Sequence, residues 1–382
     1  MSASGTLSIL HVSQPTEGGV AGYVAEVVAD QARRGRSVTV ACPTWGALGA
    51  QVSSAGAKHV EWTAGRAPGP TSFLDAARLA RIIAREDPAL VHLHSSKAGL
   101  AGRLALRGRR PTVFQPHAWS FEAVRGPLHA AALAWERRAA RWATAVLCVS
   151  EAERRRGVEQ GVRAEWRVIP IGVDLDAFPP ASPDERSAAR RRLELEERPT
   201  VVCVGRLCRQ KGQDVLLDAW PRVVARVAEA QLVLVGDGPD EKHLRRLADG
   251  DVRLVGRRSD VADWLAAADV FALPSRWEGM SIGMVEAMAR GRSVVATDVP
   301  GAAEALDGEA GEIVPPEDPA ALADALAARL LDPARADAEG RSARERVERS
   351  HDLRAMTASL AELYEELLGA PTVSSSTGLT IP

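Results

Sequence analysis

TVVCVGRLCRQKG, residues 200–212, decides how the chain is read. Its first five residues are apolar or β-branched, the composition of a strand buried on both faces of a parallel sheet. The run stops at Gly205. Arg206 follows at once, and Lys211 stands five residues later beside Gly212. In open α/β sheets, ligands bind beyond the carboxyl ends of the strands. Two cations displayed there suit a diphosphate, and each charge-assisted hydrogen bond to it contributes about 1.5–3 kcal/mol. Gly205 and Gly212 let backbone come close to such a ligand. A solvated charged loop is the plain alternative.

Outward from that stretch the same grammar repeats. AQLVLVGDG (230–238), DVRLVGR (251–257), DVFALPS (269–275) and SVVATDV (293–299) are further short apolar runs, each followed by a loop and a helical pattern. Before it come LSILHV, SVTVAC, ALVHLH (89–94), TVFQPH (112–117) and AVLCVS (145–150). A helix is expected from about Val20 to Arg34, closed by Gly35. Strands alternating with helices imply parallel sheets covered on both faces. At 382 residues the chain is too long for one ordinary core, so two α/β domains are expected. Residues 1–176 form the first, 177–199 a proline-opened linker with a polar helix, and 200–351 the second. A helical stretch over 352–369 is expected to pack back on the first domain, and the small polar tail 371–382 to be disordered.

A second segment carries chemistry: PSRWEGMSIGMVEAMARG, residues 274–291. A strand ends at Ser275, and a helix runs to about Arg290. Ser281 is expected to cap that helix, with the amides of Gly279, Met280 and Ser281 turned toward a phosphate. Glu278 and Glu286 flank the site. Carboxylates are unsuited to bind phosphate and suited to accept hydrogen bonds from sugar or ribose hydroxyls. A capping carboxylate and a solvated helix face are the alternative reading.

These motifs resemble the signature of the retaining glycosyltransferases of family 4, which have the GT-B fold: two Rossmann-like domains whose parallel sheets face each other across a cleft. The family shows G-R-L with a downstream K-G, then P-S-x-x-E-G and E-A-M-A. The chain has Gly205-Arg206-Leu207, Lys211-Gly212, Pro274-Ser275, Glu278-Gly279 and Glu286-Ala287-Met288-Ala289, with the E-x7-E spacing intact. Pro300-Gly301, Glu304 and Gly311-Glu312 also match, and the likeness spans about residues 7–368. The resemblance implies that Arg206 and Lys211 hold the donor diphosphate, Glu286 the ribose and Glu278 the transferred sugar. It implies that Gly18-Gly19 is the glycine-rich loop of the first domain and that His117, in Gln115-Pro116-His117-Ala118, lies near the transferred sugar. It further implies transfer with retention, by front-face attack with the leaving phosphate as base. LVHLHSSKAGLAGRLA resembles bacterial polysaccharide-type members, whose acceptors are lipid-linked sugars. The chain departs from the family at Met280-Ser281, at Ile171 in IPIGVD, and at Ala118-Trp119 after the histidine.

Other features are weighed and set aside. Asp174-Leu175-Asp176 imitates a D-x-D metal motif but falls in the linker. Gly236-Asp237-Gly238 is a weak nucleotide signal and reads as a turn. His92 and His94 alternate on one strand and His11 ends another. Without a third ligand beside His92 and His94, these read as packed strand ends, and no metal or other cofactor is expected. Cys42, Cys148, Cys203 and Cys208 lack paired spacing and read as reduced thiols. No signal-peptide pattern opens the chain, and no apolar run reaches the 18 or so residues of a membrane span. A cytoplasmic location follows as an expectation, with peripheral contact at the inner membrane face. That contact is suggested by charge. Residues 1–178 carry 22 Lys+Arg against 15 Asp+Glu, and the remainder 26 against 35. The expected partners are a nucleotide-sugar donor, a glycan or lipid-linked acceptor and an anionic membrane surface, with no nucleic acid. A nucleotide-sugar epimerase of the same fold, a transferase using a small soluble acceptor and a silent sugar-nucleotide sensor are the alternatives. A dinucleotide dehydrogenase is disfavoured, since no G-x-G-x-x-G follows the first strand.

Overall fold

The structure, a computed structural model, describes residues 7–65 and 72–369; the tail expected to be disordered lies outside the described residues. Two parallel sheets carry the fold. The first joins β1 (Ser8–Ser13), β2 (Ser37–Cys42), β3 (Lys58–Glu61), β4 (Leu90–His94), β5 (Thr112–Gln115), β6 (Ala145–Cys148) and β7 (Trp166–Val168) in the order β3-β2-β1-β4-β5-β6-β7. The second joins β8 (Thr200–Val204), β9 (Gln231–Val235), β10 (Val252–Gly256), β11 (Val270–Leu273), β12 (Ser293–Thr297) and β13 (Gly311–Val314) in the order β10-β9-β8-β11-β12-β13. Strand order reverses between β1 and β4 and again between β8 and β11. Those switch points open a crevice at the strand ends. Both charged segments, 205–212 and 274–281, emerge beside the second one.

The apolar runs of the central strands become fully buried strands, as in β9 and β12. β3, β7 and β13 were not foreseen. They are edge strands of three or four residues and are half-exposed, so they lack a continuous apolar run.

In β1 the side chains alternate between faces. Leu10 and Val12 pack in one core with Leu79, Ile83, Leu93 and Phe114. Ile9 and His11 turn to the other side, toward the helix Gly19–Arg33. The helix Ser95–Leu106 lies close on β4 and β5. A Cβ on Gly99 would come within 2.2 Å of Phe114, and one on Gly102 within 2.3 Å of Leu93. The buried Arg103 guanidinium sits 3.7 Å over the Phe114 ring and 2.7 Å from Glu136, which ties this helix to the helix Pro127–Ala139.

The polar helix Pro183–Arg192 is capped by Ser182 and packs on the second domain, where Arg186 and Arg190 both reach Asp269. At the other end, the helix Leu353–Leu367 crosses back to the first sheet. Tyr364 meets His92 at 2.5 Å, and Glu365 and Glu366 pair with Arg36 and Arg167. The two chain crossings run side by side: Val173 N–H donates to His351 O at 2.8 Å and Leu353 N–H to Val173 O at 3.1 Å. The linker aspartates serve a turn, with Asp174 Oδ1 accepting from the Asp176 and Ala177 amides. Among the described residues no helix is long and apolar enough to cross a membrane.

Candidate active site

β8 delivers its loop into a braced corner. Gly205 N–H donates to Val235 O at 2.9 Å and Leu207 N–H to Asp237 O at 2.8 Å. A Cβ on Gly236 would lie 2.0 Å from Gly205 O, so Gly236-Asp237-Gly238 is the turn that supports this corner. Gly212 has φ +65°, and a Cβ there would lie 2.0 Å from Pro274 O. Only glycine lets the 205–212 loop press against the end of β11. The two loops are then joined by Gln210, whose side chain donates to Trp277 O at 3.0 Å and whose carbonyl accepts from the Arg276 amide at 2.7 Å.

Within that corner Lys211 Nζ lies 2.5 Å from Glu278 Oε1, which also accepts from Ser275 Oγ at 3.0 Å. The two residues expected to grip phosphate and sugar therefore hold each other. Arg206 makes no ion pair or side-chain hydrogen bond among the described residues and is partly exposed; the Glu17 carboxylate of the glycine-rich loop feels its charge without pairing with it.

The helix beyond the second loop is Ile282–Ala289, and here the structure corrects the sequence reading. Ser281 occupies the cap position, but its Oγ is sealed without a partner and caps nothing. Because Val285 N–H donates to Ser281 O, the amides left free by the helix are those of Ser281, Ile282, Gly283 and Met284. Of the expected Gly279–Ser281 amides, that of Ser281 is thus among the free ones, and the Met280 side chain is buried as packing. Glu286 sits within this helix, partly buried, with no hydrogen-bond partner among the described residues. Burial pushes its carboxyl up to about 7.

The first domain closes over this site. A Cβ on Gly279 would lie 2.8 Å from Glu153 Oε1 and 3.1 Å from both Ala118 N and His117 C. Gly18, at φ +74°, begins the helix Gly19–Arg33, and a Cβ on Gly19 would stand 3.2 Å from Ile282. The glycine pair thus faces the helix start of the other domain. Ser150 Oγ donates to Gly279 O at 3.1 Å, and Glu304 accepts from the Glu151 and Ala152 amides at 3.1 and 3.0 Å. Arg257 bridges Asp237 to Glu17 of the glycine-rich loop.

His117 stands past the end of β5 at φ +57°, followed by Ala118 at φ +125°. Such values in residues with side chains store strain, here beside the cleft. Glu153 secures the loop by accepting from the Ala118 amide at 2.8 Å and the Val149 amide at 2.9 Å. Burial raises its carboxyl to about 7 against those two bonds. Sequence reasoning passed over Glu153, since nothing in EAERRR separates it from Glu151.

Behind His117 lies a buried histidine cluster. His11 and His92 are partners in the β1–β4 register, so they share a face with His94. The expectation that His92 and His94 lack a third neighbour is corrected: ligand nitrogens of His11, His92 and His94 lie within 4.8 Å of one another. Two of them are already bonded, His11 Nδ1 to His94 Nε2 at 2.9 Å. Two nitrogens on one tetrahedral zinc stand about 3.3 Å apart, so an ion would have to break this hydrogen bond. Burial lowers His11 to about 4, His117 to about 3, and His92 and His94 well below the usual range.

An unpaired arginine, a lysine–glutamate pair, four free helix amides and an unbonded carboxylate thus converge at a switch point. Sequence comparison shows what the arrangement belongs to. Residues 17–177 match the family described as Glycosyltransferase Family 4, and residues 198–332 match Glycosyl transferases group 1. A relative from Mycolicibacterium smegmatis, named GDP-mannose-dependent alpha-(1-6)-phosphatidylinositol monomannoside mannosyltransferase, is 35% identical over 370 residues, 91% of this chain and 95% of that one. The chain belongs to glycosyltransferase family 4. It is an enzyme that depends on a nucleotide sugar, with the GT-B fold. A Corynebacterium glutamicum relative, named as a mannosyltransferase for a monoacylated phosphatidylinositol monomannoside, is 38% identical over 201 residues; that match spans 49% of this glycosyltransferase and 53% of the relative. In fold, the glycosyltransferase is similar to Anabaena Alr3699/HepE, crystallised with UDP and glucose: TM-score 0.81, 24% identical, covering 94% of this chain and 99% of that one.

Proposed function

We propose that this enzyme transfers a hexose from a nucleoside-diphosphate sugar, with GDP-mannose as the first candidate, to an acceptor carried on a lipid, with retention at the anomeric carbon. The observation that carries the reading is the unpaired Arg206 beside Lys211 and the free amides of Ser281–Met284, opposite His117. As the bond from the anomeric carbon to phosphate breaks, negative charge grows on the leaving diphosphate. Arg206, Lys211 and the helix amides stabilise it. The acceptor hydroxyl attacks from the face the phosphate leaves, and its proton passes to a phosphate oxygen. Glu278, held by Lys211 and Ser275, accepts a hydrogen bond from a sugar hydroxyl and serves as a sugar-binding group rather than a nucleophile. Glu286 takes the ribose hydroxyls. The two cations do the work a divalent ion would otherwise do, so turnover is expected to survive a chelator. Loss of turnover restored by Mn²⁺ would defeat that point.

GDP-mannose is favoured by the mannosyltransferase relatives at 35–38% identity, and a lipid-borne acceptor by their phosphatidylinositol substrates. The surface of the first domain agrees with a membrane approach. Leu128 is 68% exposed at the head of the helix Pro127–Ala139, and Arg125, Arg138 and Arg141 nearby make no ion pairs among the described residues. Phe73 and Leu74 are also exposed. Each basic residue near an anionic surface contributes about 1 kcal/mol, which salt screens. Two experiments test the proposal. In a panel of GDP-, UDP- and ADP-sugars, GDP-mannose at 100 times its dissociation constant stabilises the fold by about 2.7 kcal/mol; a protein that no nucleotide sugar stabilises rejects the donor site. Co-sedimentation with anionic vesicles at low salt, lost at high salt, supports the lipid acceptor, and protein that stays in the supernatant points to a soluble one.

A further inference from the structure

His117 touches the cleft at one end of a hydrogen-bond chain that runs into the core. Its Nε2 lies 3.2 Å from His94 Nδ1, His94 Nε2 lies 2.9 Å from His11 Nδ1, and His11 Nε2 lies 2.9 Å from Gln31 Oε1. Each ring uses both nitrogens, except His117, whose Nδ1 is bonded to nothing among the described residues and is not a sealed atom. Burial keeps all three rings neutral near pH 7, so each carries one N–H. The chain can then run in only two directions, and its inner end selects one. Gln31 presents its carbonyl oxygen to His11, while its amide nitrogen lies against the Tyr364 hydroxyl without a full hydrogen bond. With the Gln31 amide in this orientation its oxygen accepts only, so His11 donates from Nε2; the flipped amide would reverse the chain. His11 Nδ1 therefore accepts from His94 Nε2–H, and His94 Nδ1 accepts from His117 Nε2–H.

We propose that Gln31, His11 and His94 are positioning residues, whose hydrogen-bond chain commits His117 to its Nε2–H tautomer and presents its Nδ1 to the cleft as an acceptor for a hydroxyl of the bound sugar or acceptor. This rests on the reading of His117 as a site residue. Without the chain, His117 would divide between two tautomers, and one of them turns an N–H toward the hydroxyl proton it should receive. The strained backbone at His117 and Ala118, pinned by Glu153, holds the ring at the chain's end. The sequence conceals the device, because 20, 63 and 86 positions separate His11, His94 and His117 from Gln31. Only the β1–β4–β5 register assembles it.

Nitrogen-15 NMR of histidine-labelled protein tests the proposal without any ligand, with the His117 signals assigned by their loss in His117→Ala. The expected result is an Nε2–H tautomer in the unaltered protein. In Gln31→Met, which removes the terminal acceptor, His117 becomes a mixture of tautomers, and release of GDP from GDP-mannose falls about tenfold in kcat with KM little changed, the scale of one hydrogen bond. Gln31→Glu keeps an acceptor at the same place, retains the tautomer and recovers most of the rate. Thermal melts confirm that each variant is folded. An Nδ1–H signal on His117 in the unaltered protein, or an unmoved tautomer in folded Gln31→Met, overturns the chain. If the tautomer behaves as expected but His117→Ala turns over normally, the failure lies in the reading of His117 as a site residue, and the chain's functional role falls with it.

Discussion

Lys211 and Glu278 neutralise each other at 2.5 Å, with Glu278 only 7% exposed. A donor diphosphate must share the lysine rather than find it free, so the pair keeps the cation aimed before the ligand arrives. Lys211→Ala is expected to lower turnover at least roughly 100-fold, the scale of one transition-state electrostatic contact. It also leaves a buried carboxylate unpaired, so the melting temperature should fall. Lys211→Ala, Glu278→Gln restores stability but not rate; near-normal turnover in either variant would take Lys211 out of the site. Glu286 leads to a pH prediction. With its carboxyl at about 7 through burial, it is mostly neutral at pH 6 and mostly ionised at pH 8. A carboxylate accepts from ribose hydroxyls more strongly than the neutral acid. Donor affinity, read by calorimetry, should rise up to about tenfold between pH 6 and pH 8, and Glu286→Gln should remove that gain. The sign for the empty fold is opposite. Folding raises this group above its usual 4.5, so its contribution to stability is present at low pH and is lost as pH climbs toward 7.

Helices reach the sheets closely only where glycine permits. With a Cβ on Gly102 only 2.3 Å from Leu93 in a fully buried layer, Gly102→Ala should cost about 1–3 kcal/mol of stability through overpacking, seen as a lower melting temperature. Kinetic constants of the folded fraction should be unchanged, since the contact faces away from the cleft. The same close packing explains how much the sequence disclosed. Central strands such as β8, β9 and β12 are buried on both faces and read as unbroken apolar runs. β3, β7 and β13 sit at sheet edges and pack on little, so their composition says nothing. Arg206, Lys211, Glu278 and Glu286 stand out in the sequence as charges beside glycines after apolar runs and on the following helix, and the structure brings Lys211 and Glu278 together at 2.5 Å. Ser281 misled, because a serine before a helix looks like a cap whether or not its hydroxyl turns inward. The histidine cluster was half legible: His92 and His94 alternate on β4, but His11 joins them from β1 only through strand register, which no local spacing marks.

At the scale of the whole molecule the two domains meet through side chains on backbone. Glu304 of the second domain accepts from the Glu151 and Ala152 amides, the positive end of the helix Glu151–Glu159 in the first. Glu304→Ala should open the cleft. X-ray scattering is expected to show a larger radius of gyration without donor, and the KM for donor should rise several-fold; an unchanged profile would mean that other contacts hold the closed form. Where the chain passes between domains, both strands of the passage are stitched to each other by the Val173 bonds to His351 and Leu353. The second domain's own polypeptide also ends as a helix on the first sheet. Cutting the exposed stretch around Ala177–Pro180 would therefore not yield two separate halves. The nicked protein should migrate as a single particle and keep turning over, and the two pieces, expressed as separate polypeptides divided at that point, should find each other and rebuild an active enzyme.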